Sequence, residues 1–479
     1  MAAAQTFYWH DYETFGVDPS RDRPVQFAGI RTDAELNVIG EPLMLFARPS
    51  RDVLPQPQAC LLTGITPQQA LAQGVPEAEF MARIHEQLSQ PGTCGVGYNS
   101  IRFDDEVTRY ALYRNFYDAY AREYQNGNSR WDIIDMVRLT HALRPEGIEW
   151  PRGEDGAVSF RLELLTQANG IGHAAAHDAL SDVEATIALA RLIRDKQPRL
   201  FDYALKMRSK QAVLAELDMA AMKPVLHVSG MFGAARNNIG LVVPITRHPR
   251  NKNEIICYDL AVDPAPLVEL DVDALRQRLF TPSADLPAGT ERLGIKSIHI
   301  NKSPVIATPK LLDPATAQRL GIDGALCRAN RQQLVAITGL ADKLQQVYKD
   351  REFSAVTDPD RMLYSGGFFG DADKRSMEKI RAATPEQLRD QSFVFEDARL
   401  SEMLFRYRAR NFPDSLTPEE TAQWEEFRFQ YLTDPEAGAS ITMDDYHATI
   451  EALQADESLG EEKQQLLQQL LEYGDELLA

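Results

Sequence analysis

The apolar positions of this chain follow two rhythms. Early on they come in short, β-favouring runs. Phe7, Tyr8 and Trp9 open the stretch FYWHDYETFG, and residues 25–32 and 38–47 follow, with a turn at 33–37. That pattern predicts a β-meander. Thr66 and Pro67 then mark a helix start, as N-cap and first helical residue. Phe80, Ile84 and Leu88 recur at helical spacing within 76–89. Residues 93–98 read as a short strand, and a long helix opens after Asn99 toward Asn115. Residues 131–143 read as strand then helix, and 160–168 as a helix stopped by Asn169-Gly170. A further apolar-periodic helix opens within 176–182 and runs to Arg194.

The rhythm changes twice. A helix over 200–217 leads into short β-like runs at 225–229, 241–244, 254–259 and 297–300, broken by Gly, Pro and Asn. These predict a small barrel or compact sheet. Helical spacing returns at 314–320 and 330–348. It then dominates at 371–383, 400–410, 418–431, 443–454 and 461–478. With 479 residues the chain exceeds one ordinary domain. The pattern places boundaries near 195 and 355, giving domains 1–195, 196–354 and 355–479. No internal repeat is visible.

Composition is that of a soluble globular protein, 44% hydrophobic and 25% charged. No apolar run reaches the roughly 20 residues that span a bilayer. The opening MAAAQTFYWHD lacks the basic region and apolar core of a signal peptide. The four cysteines are scattered without a CxxC pair, which predicts reduced thiols and a cytoplasmic location. The net charge of −19 argues at first against a nucleic-acid partner. However, residues 414–479 hold 17 acidic side chains against two basic ones, a balance of −15, which leaves only −4 on residues 1–413. A local basic groove is compatible with that distribution.

The candidate chemistry begins at Asp11 and Glu13. On a strand, residues two apart point to the same face, so these carboxylates stand side by side. Like charges that close favour a cation between them, and oxygen ligands suit Mg²⁺ or Mn²⁺. Asp104 lies just past a strand end, at a helix start, where the alternative role of Asp104–Glu106 is to complement the helix dipole. His177 precedes a helix, and Asp182 lies one turn inside it. Four carboxylates gathered from these elements would surround two metal ions that activate a water and stabilise a leaving oxygen. A neutral histidine beside them suits the general base. Arg109, Arg114 and Tyr110, Tyr113, Tyr117, Tyr120 and Tyr124 mix charge with aromatic faces, as single-strand binding requires, although tyrosines at helical spacing also serve as core.

The order DxE, then D, then HxAxxD resembles the DEDD exonuclease superfamily, in the branch whose base is a histidine. HDYETFG, GYNSIRFDDEVTR, NSRWDIIDMVR, ALRPEGIEWP and ANGIGHAAAHDALSDVEAT are similar to the bacterial exodeoxyribonuclease I family, as are SGMFGA, HINKSPV, GGFFGDAD and YRARNFP. The resemblance implies an α/β ribonuclease H-like exonuclease fold, a mixed sheet with helices, followed by a small SH3-like β-barrel and an all-α C-terminal domain. It implies Mg²⁺-dependent 3′-to-5′ degradation of single-stranded DNA to 5′-mononucleotides in DNA repair and recombination, with Mn²⁺ able to substitute. By motif, Asp11, Glu13, Asp104 and Asp182 hold two metal ions and His177 is the base. Glu13 and Arg161 contact substrate, as do Arg109, Tyr120, Tyr124, Arg138 and Lys210. Arg144 and Tyr203 match positions that receive the C-terminal tail of the single-stranded-DNA-binding protein. The family's self-enclosing architecture implies a monomer. RNA trimming by the same site and a non-catalytic scaffold are the alternatives.

Overall fold

The structure, a computed structural model, describes residues 5–172, 178–349 and 355–478. The chain divides into two compact units that interleave along the sequence. The first comprises Met1–Ser129, His173–Ile187 and Ala355–Ala479, the second Arg130–Gly172 and Ala188–Ser354.

In the first unit the predicted meander forms as β1 (Thr6–Thr14), β2 (Pro24–Thr32) and β3 (Leu43–Phe46), all antiparallel neighbours. The third strand is shorter than the expected 38–47, because Val38 contributes only an isolated bridge to Thr32. β4 (Thr93–Gly97) pairs parallel to β1. The sheet order is β3-β2-β1-β4-β5, with β5 (Ser129–Asp132) at the edge. A meander joined to a parallel strand in this order is the ribonuclease H-like arrangement. Helix α1 (Glu77–Leu88) lays Phe80, Ile84 and Leu88 on the core beneath Tyr8, Tyr12 and Phe27. Helix α2 spans Asp104–Arg114, and α3 Ala179–Lys196.

The acidic C-terminal segment is part of this core. Phe15, Val25, Leu54 and Cys60 share one cluster with Leu432, Tyr446, Leu467 and Leu470. Its helices, among them Pro418–Thr433, Met443–Gln454 and Glu461–Leu478, therefore bury an apolar face and turn their carboxylates outward. A charged network fastens the same region. Arg410 Nη2 lies 2.7 Å from Asp52 Oδ2, and Arg410 Nη1 lies 2.8 Å from Asp360 Oδ2. Arg406 also reaches Asp360, at 3.2 Å, and Asp358, at 2.7 Å. Arg114 Nε meets Glu77 at 3.3 Å.

The second unit holds an antiparallel sheet of order β10-β6-β7-β8-β9, made of Val225–Val228 (β6), Ile239–Arg247 (β7), Glu254–Asp259 (β8), Ile295–His299 (β9) and Val305–Ala307 (β10). β10 is too short to show alternation in sequence. Two expected helices are broken in two. The stretch 200–217 forms Pro198–Lys206 and Lys210–Glu216. The stretch 330–348 forms Gly324–Ala336 and Leu340–Lys349, divided at Gly339, whose φ of 71° lies outside helical space. No helix among the described residues is long and apolar enough to cross a membrane.

Candidate active site

Strand periodicity puts Asp11 and Glu13 on one face of β1. Their partners across β2 are Ala28 and Gln26. Asp104 is the first residue of α2, and its carboxylate accepts the backbone N–H of Tyr12, between the two β1 acids, at 3.1 Å. Thr108, one turn on, donates its hydroxyl to the Asp104 carbonyl at 2.8 Å, and its oxygen lies 3.1 Å from the Tyr12 phenol oxygen, within hydrogen-bond reach. The helix start is thus tied to the strand. Asp182 lies in the first turn of α3, and Asp11, Glu13 and Asp182 each offer an oxygen within 4.8 Å of the others'.

These acids disturb one another. Burial pushes the Asp11 carboxyl well above the usual range, and Asp104, Glu13, Asp182 and Asp178 push it further. Burial, then Asp182, Asp104 and Asp178, push Glu13 up to about 8. The charges that act most on Asp11 and Glu13 are those of neighbouring carboxylates, whereas arginines surround Asp52 and Asp360. An all-oxygen donor set that raises its own pKa values in this way fits a hard divalent cation.

Asp104, Asp105 and Glu106 are consecutive yet serve three tasks. Asp104 joins the acid cluster. Asp105 is buried against Arg122, at 2.5 Å. Glu106 binds Arg109 Nη1 at 2.8 Å and accepts the hydroxyl of Tyr364. Arg109 itself is buried, held by Glu123 at 2.7 and 2.9 Å and by the Tyr364 oxygen at 2.9 Å, with its guanidinium 5.2 Å from the Tyr120 ring centre. It props up an aromatic face. Tyr120 meets Tyr364 and Phe368 with ring centres 6.4 and 5.8 Å apart. Tyr364 is 55% exposed and Phe368 86%, and Tyr124 is 63% exposed. Sequence reasoning did not single out Tyr364 or Phe368; the aromatics beside paired glycines in YSGGFF were the available signal.

The remaining anticipated DNA and partner contacts lie in the second unit. Arg161 is exposed and pairs with Glu163. Arg138 binds Asp135 at 2.7 Å and faces the Phe160 ring. Lys210 donates to Asn253 at 2.6 Å. Arg144 directly follows Leu143, which shares an apolar cluster with Leu139, packed by Tyr203 and Leu312. The Tyr203 hydroxyl donates to the Ile306 carbonyl at 2.8 Å. His177 lies outside the described residues.

Residues 8–190 match the family described as Exonuclease, 208–350 the Exonuclease I SH3-like domain and 357–477 the Exonuclease I C-terminal domain. Exodeoxyribonuclease I of Escherichia coli is 48% identical over 474 residues, 99% of this chain and 98% of that protein. The chain belongs to the exodeoxyribonuclease I family. It is an exonuclease, and so a hydrolase. Among solved structures, the moderately thermophilic exonuclease I of Methylocaldum szegediense superposes with a TM-score of 0.95 at 54% identity, over 99% of this chain and 100% of that one. The zinc-bound complex of the E. coli enzyme with single-stranded DNA gives 0.95 at 47% identity over the whole of both chains. The exonuclease domain, the SH3-like sheet and the helical C-terminal segment are those of the family.

Proposed function

We propose that this exonuclease degrades single-stranded DNA from the 3′ end, releasing 5′-mononucleotides, with Mg²⁺ as its natural cofactor and Mn²⁺ as a substitute. Convergence of Asp11, Glu13 and Asp182 oxygens within 4.8 Å carries this reading, and Asp104 adds a fourth carboxylate. Two bound ions would supply an activated water and charge stabilisation at the leaving oxygen. The chain's part is to hold those ions at Asp11, Glu13, Asp104 and Asp182 and to take the water's proton on His177. The Tyr12 N–H and Thr108 keep Asp104 aimed at the strand.

Glu13, Arg161, Arg138 and Lys210 contact the strand directly in this reading. Tyr120 and Tyr124 offer stacking faces, joined by Tyr364 and Phe368, while Arg109 supports them from below. The zinc and single-stranded DNA held by the E. coli relative support the metal class and the substrate. Arg144, beside an apolar cluster and Tyr203, suits the acidic, apolar-ended tail of the single-stranded-DNA-binding protein. We place the enzyme in the cytoplasm as a monomer acting in repair and recombination, with its labour divided among 1–195, 196–354 and 355–479.

A time course on 5′-labelled single-stranded DNA, with duplex and RNA versions alongside and Mg²⁺ or EDTA added, tests the proposal. Shortening of the single strand alone, from the unlabelled end and only with metal, is expected. Equal cutting of RNA, or cutting in EDTA, overturns it.

A further inference from the structure

Gln26 is a buried amide on β2, directly opposite Glu13. Residues directly opposite in an antiparallel pair share a face, so its side chain stands on the side of the sheet that carries the acid cluster. Both ends of the amide are engaged by the start of α3. Nε2 donates to Asp178 Oδ1 at 3.2 Å, and Oε1 accepts the Ala179 N–H at 3.3 Å.

Asp178 is the residue before α3, and it is fully engaged as well. Its Oδ2 accepts the Ser181 N–H at 3.2 Å, and its carbonyl accepts the Asp182 N–H at 3.0 Å. Two hydrogen bonds in series, Gln26 to Asp178 and Asp178 to Asp182, therefore connect the residue facing Glu13 to the backbone of Asp182, and those to Ala179 and Ser181 brace them. We propose that Gln26 is a positioning residue for the metal site, because its amide clamps Asp178 and Ala179 to β2 and so sets where Asp182 stands relative to Asp11 and Glu13.

The geometry favours this over simple capping. Asp178 alone satisfies the Ser181 N–H, as an ordinary N-cap would. Gln26 adds a tie across 152 residues of sequence, from the helix start to the strand beside the metal-binding acids. An amide also suits the place, since it donates to one carboxylate without adding another charge to a crowded cluster. Residues that hold ligands in place often change metal affinity by roughly 10- to 100-fold when removed.

The inference rests on the reading of these carboxylates as metal ligands, so the test separates the two. Mn²⁺ is titrated calorimetrically into metal-free protein without DNA, using wild type, Asp11→Ala, Gln26→Met and Gln26→Asn. Gln26→Met keeps the volume and loses both hydrogen bonds; Gln26→Asn keeps the amide but shortens its reach. Wild type is expected to bind Mn²⁺ and Asp11→Ala to lose that binding. Both Gln26 variants should bind at least ~10-fold more weakly, with thermal midpoints in EDTA within a few degrees of wild type. Mn²⁺ affinity within twofold of wild type in the folded variants overturns the positioning role alone. Absence of Mn²⁺ binding by wild type overturns the metal reading itself.

Discussion

The first unit buries two groups of carboxylates that obey opposite rules. Asp52, Glu77 and Asp360 sit among Arg23, Arg114, Arg406 and Arg410. Burial raises their pKa values, but the guanidiniums more than reverse it, so each lies below its ordinary value. Asp11 and Glu13 are also largely withdrawn from solvent, Asp11 only partly so, but the charges acting on them are further carboxylates, and their values rise. Depth alone does not explain this contrast. In the paired group the fold favours the ionised carboxylates, whereas the crowded group opposes its own ionisation. A structural network and a chemical site are distinguished here by what neutralises the charge.

Substitutions sharpen the contrast. The largest effect is expected at Asp11→Ala, which should cut the rate of DNA cleavage at least ~10³-fold, a barrier change of about 4 kcal/mol. Its midpoint in EDTA should not fall, because a repelling charge has gone. Activity within tenfold of wild type would remove Asp11 from the metal site. Arg410→Ala should behave inversely. It removes the nearest guanidinium from Asp52 and one of two from Asp360, leaving Arg23 at 4.0 Å and Arg406 at 3.2 Å, and should lower stability by roughly 3 kcal/mol, measured by chemical denaturation, while turnover per folded molecule stays near wild type.

Acidity separates the groups without mutation. Glu13 is raised from 4.5 to about 8, so in EDTA its contribution is intact below pH 4.5 and is lost as pH climbs toward 8. The lowered pKa values of Asp52, Glu77 and Asp360 contribute stability above the ordinary carboxylate range, which is lost as pH falls through their folded values. Thermal midpoints in EDTA should therefore decline on both sides of mildly acidic pH, and Mn²⁺ should flatten only the alkaline side. A decline there that Mn²⁺ leaves unchanged would contradict the assignment. The smallest effect is expected at Tyr364→Phe. Loss of its bonds to Glu106 and Arg109 should weaken single-strand affinity by a few-fold, about 1 kcal/mol, and unchanged affinity would detach Arg109 from the aromatic face.

Much of the acid site was legible because it is local. Period-two spacing joined Asp11 to Glu13, and helix starts marked Asp104 and Asp182. What escaped depends on distant partners. Gln26 looks like any strand polar residue until β2 sets it beside Glu13 and α3 returns to meet it. Arg109 reads as a surface cation among tyrosines, and only the fold of 115–123 brings Glu123 around to bury it. Helical spacing marked the acidic end of the chain as an all-α domain, but nothing local showed that its leucines complete a core begun at Phe15. The break at Gly339 was missed because apolar spacing continues across it.

The shared core of Phe15 with Leu467 and Leu470 also bears on how the enzyme is made. A ribosome delivers the clustered acids of β1 well before the helix Glu461–Leu478 that packs on the same unit. Until residues near 470 emerge, Val25 and Leu54 have only early neighbours such as Phe15, Cys60 and Ile65, and their cluster is incomplete. Contacts this distant in sequence slow folding and leave apolar surface waiting. The nascent chain thus carries the β1 carboxylates long before the core beneath their sheet is complete, so their unit reaches its full packing only late in synthesis.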